Sequence, residues 1–315
     1  MRSLRAISLL GSLMLSACVS TSPPIPPNSL GDFRDTLVQL NQKSTEALTA
    51  EYEWNYRNYK RAVKEDESLD PRTLALEFCL GSAFDAAWGS CDVDADTSPV
   101  FMVIADSRRD LGKLNQMMVD YANFLMLFNS ANSDTRAALE DAAGRIGNSA
   151  QSIAANAGLS LNEARFGAFA KIGVGFVEQL LARKQKNGMA AVLADFQPGV
   201  QAFADMGSTA MQISAAGVQT EYQTEVQPMK VAILQEQDST RRLQLVEGLI
   251  ALNEQTVRQL DVLASLSAAY LSLPGAHGEL MSALQSGYRA SLHELVGHIE
   301  AIGSAYQTLH APGTD

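Results

Sequence analysis

Apolar residues recur at steps of three and four along nearly the whole chain, the repeat that lines one face of an α-helix. The first run predicts a helix from about Ser29, with Asp32 completing a capping-box-like start. Its seam is Leu30, Phe33, Leu37, Leu40, Ala47, Tyr52, Tyr56, Tyr59 and Val63, and the charged segment Lys64-Glu65-Asp66-Glu67 ends it. Asp70-Pro71 and Ser98-Pro99 each set a capping residue before a proline at the first helical position, and so predict the starts of a second and a third helix. The third has the cleanest seam: Val100, Ile104, Leu111, Leu114, Met118, Tyr121, Leu125 and Phe128. It meets a polar break from Asn129 to Asp134, after which an alanine-rich fourth helix runs to about Asn156, where Gly158-Leu159-Ser160 breaks it.

Ser160 and Glu163 form a capping box for a fifth helix carrying Ala164, Phe169, Ile172, Phe176, Leu180 and Leu181. Basic residues and then Gly188 close it. A long helical stretch follows to about Leu273, which Pro198 and Pro228 can each bend or divide. Pro274-Gly275 is expected to stop it, leaving a last helix with Leu280, Leu284, Tyr288, Leu295, Ile299, Ile302 and Tyr306. Repeats of fixed period are missing from the sequence, which disfavours a helical solenoid. The expected fold is all-α: one helical domain over residues 29–310, an elongated antiparallel bundle with coiled-coil-like packing, then a flexible C-terminus over 311–315.

The first seventeen residues differ from all this. Arg2 and Arg5 precede a short apolar run from Ala6 to Leu15, and small residues lead to Cys18. That is the layout of an export signal, and the run is too short to span a bilayer as a helix. Leu15-Ser16-Ala17-Cys18 resembles the lipobox of bacterial lipoproteins. The resemblance covers the N-terminus alone. It implies a signal peptide over 1–17, cleavage before Cys18 and lipid on that cysteine, with palmitate among the expected acyl chains. In that class an Asp after the cysteine favours the inner membrane; Val19 stands here, which favours the outer membrane facing the periplasm. The Ser/Pro-rich run to Asn28 reads, with Cys18, as a lipidated tether over 18–28.

Charge narrows the partners. The chain carries a net −11, and Arg2 and Arg5 are the only charges in the signal, so the mature part stands at −13. Such a surface repels nucleic acid and anionic headgroups, so no nucleic-acid partner is expected. Outside the signal, the nearest approach to a spanning segment is Phe166 to Val177, which is too short and carries Lys171.

The motifs that invite chemistry fall short of it. His293-Glu294-Leu295-Val296-Gly297-His298 has its histidines five apart rather than four, which puts them about 140° apart around a helix and off a common metal. Asp92, Asp94 and Asp96 open like a calcium loop, but Thr97 and Val103 occupy the places of its glycine and glutamate; only weak calcium binding is left open. Gly173-Val174-Gly175 is too little for a dinucleotide fingerprint. Accordingly no catalytic residue, metal site or cofactor is assigned, and the chain is read as not an enzyme. Tyr52, Trp54, Tyr56 and Tyr59 cluster on the first helix; they read first as packing and second as a partner-facing patch. Cys79 and Cys91 are the two cysteines left once Cys18 takes lipid, and in an oxidising compartment they are expected to form a disulfide if the chain reverses near Gly89; two buried free thiols are the alternative.

The function expected from these features is that of a lipid-anchored, non-enzymatic envelope protein acting as scaffold, assembly factor or protein-binding component, with another envelope protein as partner. The alternative is a membrane-active protein, since long helices around the Gly/Ala-rich segment Ala164 to Leu181 loosely resemble helical pore-forming toxins.

Overall fold

The computed structural model describes residues 27–65, 100–130, 136–155, 188–286, 290 and 292–310. The described residues form six helices and no strand: α1 (Pro27–Glu65), α2 (Val100–Ser130), α3 (Arg136–Ala155), α4 (Gly188–Gln235), α5 (Ser239–Ser286) and α6 (His293–His310). The expected all-α bundle is therefore the observed class. At 1.5 Å rise per residue, the 48 residues of α4 and the 48 of α5 are each about 72 Å long.

Side-chain contacts give the directions. Along α1 and α2, Arg108 meets Thr49 while Asn115 donates to Ser44 Oγ at 2.8 Å, so the two helices run antiparallel. α3 folds back along α2, with Arg145 reaching Asp120 at 3.8 Å. α4 and α5 form an antiparallel pair, marked by Ser208 against Ser267 at 2.8 Å and by Phe203 against Tyr270. α6 packs on α5 and α1 at the end of the bundle near Ser29 and Ala290.

The three-four seams face the core as the pattern requires. Leu30, Phe33, Leu37 and Leu40 of α1 are buried, as are Leu111, Leu114, Met118, Tyr121, Leu125 and Phe128 of α2. The α2 boundaries also match: it begins directly after Ser98-Pro99 and ends inside the polar break at Ser130. The second and fifth expected helices, residues 1–26 with Cys18, and 311–315 lie outside the described residues. So do Cys79, Cys91, Asp92, Asp94 and Asp96.

Three expectations need correction. Ser29 is not an N-cap: α1 starts at Pro27, inside the expected tether, and buried Ser29 instead accepts the Ala290 backbone N–H at 2.9 Å. Pro198 and Pro228 both sit inside α4, and the division comes later, at residues 236–238. There Asp238 caps α5: its Oδ1 accepts the Thr240 and Arg241 N–H groups at 2.9 Å each, and the Glu236 carboxylate accepts the Asp238 N–H. Pro274 does not stop the chain but lies within α5. A proline inside a helix loses a backbone bond and costs about 3 kcal/mol. Burial of Tyr270, Leu273, Ala276, His277 and Leu280 around it offsets that cost. The break falls instead between Ser286 and His293, so Leu280 and Leu284 belong to α5 while Leu295, Ile299 and Ile302 belong to α6.

Candidate functional site

The interior carries polar side chains, and the two networks built around His277 and Tyr270 are buried. His277 is fully buried between α2, α4 and α5. Gln197 donates through Nε2 to the Pro274 carbonyl at 3.2 Å, which turns its Oε1 toward His277 Nδ1 at 2.5 Å. An amide oxygen only accepts, so Nδ1 carries the proton and Nε2 accepts from the Tyr121 hydroxyl at 2.7 Å. Burial pushes the His277 pKa down to about 4, which keeps the ring neutral in this chain of bonds. A second network joins α1, α2 and α5: Tyr270 donates to Asn115 Oδ1 at 2.9 Å, and Asn115 donates to Ser44. Both networks tie side chains of different helices together and so fix how the helices meet.

Glu51 is the least satisfied of the interior groups. It is fully buried, and neither carboxylate oxygen has a well-formed hydrogen bond among the described residues. Burial raises its pKa to about 8, tempered by the nearby Ser214 hydroxyl. Gly217 lies against it; a Cβ there would stand 3.5 Å from Glu51 Oε1. Asn55 Oδ1 and Gln259 Nε2 are likewise buried without a hydrogen-bond partner among the described residues. Just beyond, Asn58 donates to Glu225, and burial followed by repulsion from Glu225 raises the pKa of Glu221.

A shallow groove of about 540 Å³ lies where α1 meets α6, lined by Asp32, Asp35, Thr36, Gln39 and His293 among others. His293 is exposed at the start of α6 and His298 is half-buried. Among the described residues, no three histidine, cysteine or acidic side chains converge as metal ligands.

The aromatic cluster divides. Tyr52 and Trp54 are buried, with Arg108 over the Tyr52 ring at 5.0 Å and Tyr56 stacked on it at 5.9 Å. Tyr56 and Tyr59 stay half-buried and keep the solvent-accessible part of the set.

The widest departure from a buried seam lies at the far end of the α4–α5 pair. Between Gln227 and Ala251, no residue is buried. Met229 Cε reaches to 3.4 Å of where a Cβ on Gly248 would be, so the two helices still touch there. Yet Val231, Leu234, Leu243, Ile250 and Val257 are exposed, Leu234 by 79%. Single exposed aliphatics are ordinary on a protein surface, but a succession of them along one hairpin is the mark of an interaction surface. This arm is the candidate functional site. In the sequence these residues lie within one long apolar-periodic stretch, and the signal that sets them apart is a second apolar stripe on α5 beside the buried one.

Comparisons with protein-family models, curated proteins and solved structures returned no match. None of the described helices is long and apolar enough to cross a membrane.

Proposed function

We propose that the chain is a lipid-anchored, non-enzymatic component of the bacterial cell envelope that works by binding protein, as a scaffold or assembly factor. The observation that carries this reading is the arm: a helical hairpin whose end holds no buried residue but presents large aliphatic side chains to solvent. The signal-like N-terminus supports attachment through lipid on Cys18, to the outer membrane on its periplasmic side. In that oxidising compartment Cys79 and Cys91 pair as a disulfide. The closed polar networks around His277 and Tyr270 suit a structural core better than a catalytic one.

The test is recovery of partners from detergent-solubilised envelopes with the intact protein and with a Leu234→Glu, Leu243→Glu variant. A partner held by the intact protein and lost by the variant is the expected result. An identical set of captured proteins for both would overturn the assignment of the arm. Replacing Cys18 with Ala should abolish labelling by a fatty-acid probe, and continued labelling would remove the anchor from the account.

A further inference from the structure

The exposed stripe of α5 has a regular spacing. Leu243, Ile250 and Val257 stand seven residues apart, each at least half exposed. Val246 and Leu260, both half-buried, fall three residues after Leu243 and Val257, and Asn253 falls three after Ile250. That is the a and d pattern of a coiled coil, with period 3.5. The inner seam of the same helix, Leu245, Leu249, Leu252 and Thr256, already packs within the chain. Two residues are about 200° of helix, so Leu243 faces nearly away from Leu245. A helix with two apolar stripes, one packed and a neighbouring one open, is built to meet a further helix.

We infer that this further helix is α5 of a second copy of the chain, in a parallel in-register pairing along Leu243, Ile250 and Val257. The inference names the partner of the arm and rests on the reading of the arm as an interaction surface. Charge selects the occupant. The arm from residue 227 to 251 holds Lys230, Arg241 and Arg242 against Glu236, Asp238 and Glu247, a net charge of zero on a chain of −11. Two copies therefore approach without net repulsion here. In the heptad frame Arg242 takes position g, and Glu247, Glu254 and Asp261 take position e. A parallel pair sets Arg242 of one copy beside Glu247 of the other, twice by symmetry. An antiparallel pair sets the acidic e positions against each other, which is repulsive. Asn253 is the one polar residue in the seam; meeting its twin across the axis, it holds the register. Met229 against Gly248 sets the hairpin register and brings Val231 level with Val246 and Leu234 level with Leu243, which adds apolar surface from α4.

Sedimentation equilibrium of the full chain in mild detergent, up to about 100 µM, tests this, because a seam of only about 26 Å suits micromolar association. The intact protein is expected to dimerise with rising concentration. Ile250→Glu should weaken the dimer by roughly a hundredfold or more, since each copy would bury a carboxylate in the seam. Arg242→Glu should weaken it severalfold, and adding Glu247→Arg to that variant should restore it. These positions are exposed, so the circular dichroism spectrum stays unchanged. A chain that remains monomeric throughout, or a dimer indifferent to Ile250→Glu, overturns the pairing. If the monomeric chain still captures a different envelope protein in an arm-dependent way, the second copy is wrong and the arm's role as an interaction surface stands. If neither association depends on the arm, both fall.

Discussion

α4 and α5 pass through two environments, and the contrast separates what folds this protein from what is left over for function. In their packed halves Phe203, Met211, Leu266 and Tyr270 are buried, and hydroxyls and amides are tied to defined partners. In the arm the same two helices keep contact through Met229, Gly248 and a half-buried inner seam, while aliphatics of the size found in the core face solvent. The packed half specifies one arrangement through shape and hydrogen bonds. The arm spends its apolar surface outward, so truncations there leave stability nearly untouched and act on association.

Two glycines at the contact between α4 and α5 give the sharpest version. A Cβ on Gly207 would overlap the buried Tyr270 ring, which is pinned by its bond to Asn115. Gly207→Ala is expected to cost about 4 kcal/mol or to abolish folding. Gly248→Ala would meet only the flexible end of Met229 at 3.4 Å, so gained helix propensity should make it neutral to about 0.5 kcal/mol stabilising. Chemical denaturation of both variants measures the difference, and equal costs would erase the distinction between the regions.

Truncating leucines comes next in size. Leu266 is fully buried, and Leu266→Ala should cost about 3 kcal/mol from lost burial and the cavity left behind. Leu243 is 58% exposed, and Leu243→Ala should fall within about 0.5 kcal/mol of the parent, measured on the monomer. A Leu243→Ala cost near that of Leu266→Ala would show the arm to be part of the folding core.

The pH dependence of stability follows from Glu51 and His277. The Glu51 pKa is raised from 4.5 to about 8, so the folded state holds a proton that the unfolded state has released, and stability falls as pH rises across that span. The His277 pKa is lowered to about 4 from 6.5, so stability falls as pH drops from 6.5 toward 4. The two effects offset each other between about 4.5 and 6.5, and above that range Glu51 alone of the pair drives a decline that levels off near pH 8. Glu221 and Glu225, also raised chiefly by burial, act in the same direction as Glu51. Glu51→Gln should flatten much of the decline and stabilise the protein at pH 8 by on the order of 3 kcal/mol. An unchanged slope in thermal melts of that variant between pH 6.5 and 8 would contradict the account.

Much of the bundle was legible because burial leaves a three-four record. The α1 and α2 seams, and both ends of α2, could be read from Leu, Phe and polar punctuation alone. The prolines misled, because whether a proline ends a helix depends on what packs around it, and the apolar neighbours of Pro274 hold the helix through it. The cap at Asp238 was overlooked because Glu236-Gln237-Asp238 contains neither glycine nor proline, although Asp238-Ser239-Thr240 is a capping sequence. The arm was hidden for another reason: Leu243 and Ile250 look like core in a linear sequence, and only the fold shows that a different face of α5 fills that role. Tyr52 and Trp54, which read first as packing, are buried by the fold.

Photo-crosslinking in intact cells tests the central claim most directly, with a photoreactive residue at position 250 in the arm or at 271, an equally exposed site on the packed half: Ile250 and Leu271 are each 52% exposed. The account predicts a discrete crosslinked protein product from position 250 and none from 271. Crosslinks of equal strength from both positions, or from 271 alone, would contradict it.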